Sequence, residues 1–233
     1  MNTETILMLL LCMAIMLVPI FFLALRYRIK AWKSLPIAFS VILIGTVGAL
    51  LLSFVESSSF GGRSYYGAVF LIPLLFVYLA KWLKIPYGDL MDLCAPAGGV
   101  VLLVLKNQCI AAGCCGGKVL YYTVVGDPVY FPSQYAEMIN GTILLIIVFV
   151  MAWRGKQRQN VYGWFMLLYG CTRFVLNWFR ADSSQLLAGL PNGIVWSLVS
   201  IFFGLLWVTN RKLTIVKRNS EVDSPDPVAK ISE

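Results

Sequence analysis

The sequence predicts an all-α polytopic membrane protein with about seven transmembrane helices, the N-terminus outside and the C-terminus cytoplasmic. Its 233 residues are 59% hydrophobic and only 13% charged, which is too apolar for a soluble domain of this length. Several apolar stretches approach the roughly 20 residues that a helix needs to cross a bilayer. Basic residues cluster at the ends of these stretches, as topology signals do. The net charge of +8 therefore indicates membrane orientation, and no nucleic-acid partner is expected.

The first four predicted spans cover the N-terminal half of the chain. The first lacks preceding basic residues and is followed by RYRIKAWK, the reverse of a secretory signal peptide, so we expect an uncleaved span. The third ends at two lysines. The fourth contains Pro96, Gly98 and Gly99, which predict a broken or bent helix. These spans are predicted at Thr5–Leu25, Leu35–Val55, Gly67–Leu83 and Leu90–Ala112.

The last three predicted spans are Asn140–Trp153, Val161–Arg180 and Asn192–Val208. The first of them is followed by RGKQR and the last by RKLTIVKR, which predicts that both end in the cytoplasm. Residues 1–212 are expected to form a single transmembrane domain. The polar, proline-containing segment 213–233 is predicted to be a disordered cytoplasmic tail.

The basic residues that topology does not explain form the main functional signal. Fourteen of the 19 lysines and arginines fall in predicted cytoplasmic segments. The others fall on the outer side or within spans that enter it, and together they predict a basic cluster suited to a phosphate group such as a phospholipid head group. They are Arg63, Lys106, Lys118, Arg173 and Arg180.

The sixth span contains two of these cations within apolar sequence. Arg173, Asn177 and Arg180 are spaced so that a continuous helix places them on one face, with Tyr169 one turn earlier. An arginine at the centre of a bilayer costs at least ~2.5–3.5 kcal/mol, so it faces a partner or a wet cavity. For Arg180 the alternative is that its side chain snorkels to the interface from the helix end.

Two glycine-rich segments supply further candidates. In SSSFGGRSYYGAVF, Arg63 follows two glycines and Tyr66 opens the third span. This segment predicts either a phosphate-binding arginine or a glycine-rich turn with interfacial aromatic residues. In VLKNQCIAAGCCGGK, Lys106 and Cys109 share a helix face. Cys114 and Cys115 follow in a bend, where they could form a vicinal disulfide, coordinate a metal or fill space; near cations a thiol is reactive.

The segment YFPSQYAEMINGT leads into the fifth span. Ser133 is expected to cap that helix, with Glu137 as an acid in its first turn. The other interpretation makes Glu137 the counter-ion of Arg63, Lys106 or Arg173. The chain contains no histidine, so it lacks the usual base at neutral pH and the commonest metal ligand. No cysteine spacing indicates a zinc site, and we expect neither a metal nor another cofactor.

These motifs, taken in order, resemble the bacterial prolipoprotein diacylglyceryl transferase family. They are GG-R-x-x-YG, K-x-x-C-x-x-x-G-CC-x-G, PSQ-x-x-E and YG-x-x-R-F-x-x-x-W-F-R, and they run from about Phe60 to Arg211. The last motif is the most specific. The family commonly has histidine where this chain has Tyr66 and Phe131, and an acid where it has Asn177.

The resemblance implies transfer of a diacylglyceryl group from phosphatidylglycerol to the lipobox cysteine thiol of prolipoproteins, in the bacterial plasma membrane. It assigns Arg173, Tyr66, Glu137 and Lys106 to catalysis. Substrate binding is assigned to Arg63, Arg180, Gln134, Asn177, Tyr169, Cys109, Cys114 and Cys115. Two alternatives stay open: a non-catalytic protein that binds phospholipid or lipoprotein, and a thiol-redox membrane protein that uses Cys114 and Cys115 with Cys109.

Overall fold

The protein is built from seven long α-helices among the residues that the structure describes. The computed structural model describes residues 3–57, 64–111, 113, 116–124, 126–181, 185–187 and 190–222. Its helices are α1 (Thr3–Arg26), α2 (Ser34–Ser57), α3 (Tyr65–Leu83), α4 (Tyr87–Ala111), α5 (Ser133–Arg154), α6 (Val161–Asn177) and α7 (Asn192–Val222).

Five of the described helices are long and apolar enough to cross a membrane: α2, α3, α4, α5 and α7. The apolar part of α1 that qualifies is shorter, Leu10–Arg26, and α6 has 17 residues. The protein is therefore a helical multi-pass membrane protein, as the sequence predicts.

Several helix limits differ from those predicted. The fourth span was predicted to be broken or bent, and the break was wrong, because α4 continues through Pro96 to Ala111. Membrane helices tolerate proline where neighbouring groups satisfy the freed carbonyl, and a bend stays a prediction. The glycines of α4 serve packing, since a Cβ at Gly98 would lie 2.3 Å from the Phe165 ring. α5 begins at Ser133, before the predicted Asn140. α7 continues to Val222, past the predicted start of the tail, and residues 223–233 lie outside the described part.

Two short β-hairpins, which the sequence pattern did not predict, lie in the connections. One consists of β1 (Val119–Tyr122) and β2 (Pro128–Tyr130), antiparallel between α4 and α5. The other consists of β3 (Gln185–Leu187) and β4 (Leu190–Pro191), between α6 and α7. The chain just before β1 is bridged to the end of the α6 segment, because Gly117 pairs with Arg180.

Glycines bring the helices together in pairs. A Cβ at Gly67 of α3 would lie 1.9 Å from the carbonyl oxygen of Gly48 in α2, and one at Gly99 of α4 would lie 2.7 Å from that of Gly141 in α5. Small residues let membrane helices approach this closely, so that backbone and side chains pack without gaps. The α4–α5 contact lies two turns before Lys106 and one turn after Glu137, so it sets the separation of those two side chains.

We expect Gly67→Ala to prevent the native α2–α3 contact, because its methyl group would have to enter the space of a backbone carbonyl. The protein should lose thermal stability in detergent and yield little folded material. Gly45→Ala is the matched control in the same pair, since its Cβ meets Ala68 at an ordinary 3.5 Å. Equal melting temperatures for the two variants would contradict this packing.

A buried acidic cluster ties α4 to the start of α6. Asp92 is fully buried and accepts hydrogen bonds from the Tyr27 hydroxyl at 3.0 Å and from the backbone N–H of Val161 at 3.0 Å. Asp89 accepts two hydrogen bonds from Arg158, at 2.8 and 2.7 Å. These bonds raise the pKa of the Arg158 guanidinium, which lies in the α5–α6 loop. The Asp92 carboxylate thus supplies side-chain acceptors for backbone N–H groups where α6 begins.

Candidate functional site

Three basic side chains converge on one buried carboxylate near the C-terminal end of α4, away from the Asp92 cluster. Glu137, whose side chain is 4% exposed, contacts the Lys106 Nζ through Oε2 at 2.8 Å. Its Oε1 contacts the Nη1 of Arg173 and the Nη1 of Arg180. All three cations are themselves mostly buried. The interpretation of Glu137 as the counter-ion of Lys106 and Arg173 is confirmed, and Arg180 is a third partner.

Each member of this group, which we call the Glu137 cluster, comes from a different element. Lys106 is near the end of α4, Glu137 is in the second turn of α5, and Arg173 is in the last turns of α6. Arg180 follows α6 in the segment that pairs with Gly117. Lys106 and Asp92 are fourteen residues apart on α4, so the two polar clusters are separated by ~21 Å along that helix.

Arg180 does not continue the helical stripe that the sequence predicted. α6 ends at Asn177, and the backbone of residues 179–181 bonds to the segment before β1 instead: Lys118 N–H donates to the Phe179 carbonyl at 2.9 Å. Arg180 is buried, 8% exposed, so it does not snorkel outward. After this turn the guanidinium of Arg180 still contacts Glu137, so Arg173 and Arg180 meet the same carboxylate although α6 ends between them.

The predicted cap of α5 was also wrong. The residue at the N-cap is Pro132, without a side-chain cap hydrogen bond, and Ser133 is the first helical residue. Because the helix begins there, Glu137 lies beyond the first turn, and its ion pairs are with side chains outside α5. Glu137 is therefore the counter-ion of the cluster and is not a first-turn acid of α5.

The cluster carries more positive than negative charge and has unused donors. Among the described residues it has three cations and one carboxylate. The Nε of Arg173 is buried and has no hydrogen-bond acceptor within that part of the chain. Buried donors without acceptors are rare in proteins and call for an explanation. An anion with several oxygens, such as a phosphate, would supply acceptors and balance the charge.

A second, uncharged network lies beside Arg173 and involves Tyr66, Asn177 and Ser197. The Tyr66 hydroxyl and Ser197 Oγ are 2.7 Å apart, and Asn177 Nδ2 donates to Ser197 Oγ at 3.3 Å. Ser197 Oγ in turn donates to the Gly193 carbonyl at 2.6 Å. The close α6–α7 contact makes this possible, since a Cβ at Gly193 would overlap Asn177 at 2.5 Å.

Tyr169 links the two networks through its ring. It is buried one turn before Arg173, and its ring centroid lies 5.2 Å from that of Tyr66 and 5.0 Å from that of Tyr65. Aromatic pairs at this separation attract each other. Tyr66 and Tyr169 thus form a buried aromatic pair next to Arg173.

The remaining predicted site residues are only partly located. Gln134 is in the first turn of α5, one turn before Glu137, and Cys109 is one turn beyond Lys106 on α4. Lys118 is exposed at the start of the first hairpin, and its side chain does not join the Glu137 cluster. Arg63, Cys114 and Cys115 lie outside the described residues. In the described ranges, no group of three or more metal-binding side chains comes together.

Sequence reasoning missed Ser197 and the Asp89–Asp92 cluster. Ser197 lies in the apolar run NGIVWSLVSIF, and Asp89 and Asp92 are spaced for one face of α4. The rule that singled out Arg173, that polar groups within membrane helices need partners, applies equally to them. The rule does not identify the partner, because Tyr66 is 131 residues away from Ser197 in the sequence.

Known proteins resemble the chain over most of its length. A family model described as prolipoprotein diacylglyceryl transferase matches residues 7–210. A phosphatidylglycerol–prolipoprotein diacylglyceryl transferase of Geobacter sulfurreducens is 31% identical over 167 residues, 64% of each chain. Proteins of the same name from Francisella tularensis subsp. novicida and Brucella anthropi are 25% and 28% identical, over 69% and 65% of this chain and 70% and 59% of their own. The chain thus spans less than two thirds of the Geobacter and Brucella relatives.

Proposed function

Because the chain belongs to the prolipoprotein diacylglyceryl transferase family, we propose that it transfers a diacylglyceryl group from phosphatidylglycerol to the lipobox cysteine thiol of prolipoproteins. The observation that carries this proposal is the Glu137 cluster, in which three buried cations share one carboxylate. A site of this kind suits a phosphodiester better than a neutral lipid, because its surplus positive charge is desolvated and fixed in place.

The main requirement of the reaction is stabilisation of the phosphate leaving group. The thiol sulfur forms a bond to the glyceryl carbon, the bond from that carbon to the phosphate oxygen breaks, and glycerol phosphate leaves with the electron pair. Negative charge builds on the departing oxygen, so fixed cations lower the barrier. The thiol proton must also leave, since the nucleophile is the thiolate.

The side chains divide accordingly. Arg173, Arg180 and Lys106 hold the phosphate, with Arg63 as a further ligand predicted from the sequence. Arg173 can offer two parallel donors to phosphate oxygens, which lysine cannot. Gln134, Asn177 and Tyr169 orient groups around them, and Cys109, Cys114 and Cys115 border the substrate. Tyr66 or Glu137 assists removal of the thiol proton.

The proposed setting is the bacterial plasma membrane, crossed seven times with the N-terminus outside and the C-terminus cytoplasmic. Residues 1–212 form the membrane domain, and residues 213–233 form the tail. The distribution of basic residues supports this orientation. It places the Glu137 cluster toward the outer leaflet and the Asp92 cluster toward the cytoplasm, so that secreted prolipoproteins meet the cations.

Two observations favour a second function, a non-catalytic protein that binds phosphatidylglycerol or lipoprotein. The chain has no histidine, and Glu137 is already engaged by three cations. Such a protein would bind the phospholipid without releasing glycerol phosphate.

The test is transfer by the purified full-length protein in nanodiscs that contain phosphatidylglycerol labelled in its head group, with a lipobox peptide. We expect release of glycerol phosphate equal to the diacylglyceryl gained by the peptide, and none with a peptide whose cysteine is replaced by serine. In parallel, the gene should restore growth of a strain depleted of its own transferase. Lipid binding without release, by protein that inserts in the membrane, would establish the non-catalytic function instead.

A further inference from the structure

The hydrogen bonds around Ser197 determine the direction of the hydrogen bond from Tyr66. A serine hydroxyl has one proton to donate and two lone pairs that accept. The proton of Ser197 goes to the Gly193 carbonyl at 2.6 Å, and one lone pair accepts from Asn177 Nδ2. The Tyr66 oxygen lies 2.7 Å away, so only one arrangement satisfies all three groups: the Tyr66 hydroxyl donates to Ser197.

This direction leaves the Tyr66 oxygen as an acceptor. Its proton is committed to Ser197, and none of the other described residues donates a hydrogen bond to it. Tyr66 is buried, and its neighbours are the residues one turn to either side of Arg173: its ring contacts Tyr169, and its hydroxyl reaches Asn177 through Ser197. The phenol oxygen thus lies alongside the arginine, with its lone pairs uncommitted within the described part of the chain.

We propose that Ser197 is a positioning residue, which together with Asn177 holds Tyr66 as a neutral hydrogen-bond acceptor for the thiol of the incoming substrate. The proposal rests on the transferase function proposed above. Tyr66 does not itself take the proton in this arrangement, because the chain of donors ends at a backbone carbonyl, which cannot accept it. The phenol oxygen instead aligns the S–H group, so that the sulfur faces the lipid held by the cations.

Ser200 provides a matched control in the same helix. It is also fully buried, and its Oγ donates to the Met166 carbonyl of α6 at 2.8 Å. Ser200→Ala therefore removes a serine hydroxyl and an α6–α7 hydrogen bond, as Ser197→Ala does, without touching Tyr66. A difference between the two variants isolates the effect on Tyr66 from the effect on packing.

The first test measures transfer. Ser197→Ala should lower kcat about 5- to 10-fold, the effect of one hydrogen bond, with the KM for phosphatidylglycerol unchanged. Ser197→Thr should restore the rate, and Ser200→Ala should leave it unaltered. In a Tyr66→Phe background, Ser197→Ala should have no additional effect. Equal losses in Ser197→Ala and Ser200→Ala, or full additivity with Tyr66→Phe, would overturn the proposal.

The second test does not depend on activity, so it separates this proposal from the transferase function. Infrared difference spectra of protein labelled with ¹³C at the tyrosine phenol carbon report the hydrogen bonding of the C–O group. Ser197→Ala should shift one tyrosine band, and the shift should be absent when Tyr66 is phenylalanine. If wild-type protein fails to transfer lipid but the shift is present, the transferase function fails and the orientation of Tyr66 stands. If no band shifts, the positioning role is wrong.

Discussion

Replacing Arg173 with alanine should lower the rate of lipid transfer by about 10²- to 10³-fold, as loss of a fixed donor to a developing oxyanion does. Arg173 has buried donors without an acceptor among the described residues. Its interaction with a phosphodiester would strengthen as charge builds on the departing oxygen, so kcat should fall more than the affinity for phosphatidylglycerol. The measurement is glycerol phosphate release in nanodiscs over a range of phosphatidylglycerol content.

Two further variants give this prediction its controls. Arg173→Lys keeps the charge but loses the planar fork of donors, and we expect it to retain part of the activity. Lys156→Ala removes an exposed cation from the α5–α6 loop, and it should transfer at the wild-type rate. If Arg173→Ala transfers normally while remaining folded, the phosphate is bound elsewhere and the assignment of the cluster is wrong.

The sequence predicted the members of the cluster because membrane chemistry makes cations conspicuous. Lys106, Arg173 and Arg180 stand out once the basic residues at helix ends are explained by topology. Glu137 could be identified almost as readily, because few acidic residues lie near these cations in the sequence. Their meeting at Glu137 could be expected as charge pairing, and the structure confirms it.

The local backbone around the cluster could not be predicted in the same way. The sequence predicted that Arg180 continues the α6 stripe, since no glycine or proline interrupts residues 173–180. The helix ends earlier because residues 179–181 pair with the chain before β1, and nothing within the sixth span reveals that long-range partner. Likewise Gly98 and Gly99 indicate either a break or a close contact, and only the neighbouring helices decide between them.

Ser197 illustrates the same limit for side chains. A serine in a membrane helix often bonds to a carbonyl four residues earlier, and Ser197 does so with Gly193. This local bond gives no indication that its lone pairs accept from Tyr66 and Asn177. The structure joins Tyr66 and Asn177 through a third residue that no motif marked.

Glu137→Gln should destabilise the protein by about 3–5 kcal/mol, because removal of one partner leaves buried charge uncompensated. Here three cations would lose their shared carboxylate. The measurement is thermal unfolding in micelles of a neutral detergent, where no lipid anion replaces it. Asp127→Asn is the control, since Asp127 is exposed at the turn of the first hairpin and its charge should contribute little.

The same variant distinguishes a counter-ion from a base. If Glu137 serves to balance the cations, phosphatidylglycerol should stabilise Glu137→Gln more than it stabilises the wild type, because the phosphate then supplies the missing negative charge. Phosphatidylcholine, which has no net charge, should not. If Glu137 served only to take the thiol proton, the variant would lose transfer while both lipids stabilised it as they do the wild type. A preferential stabilisation by the anionic lipid would therefore show that the three cations, freed from Glu137, bind the phosphate.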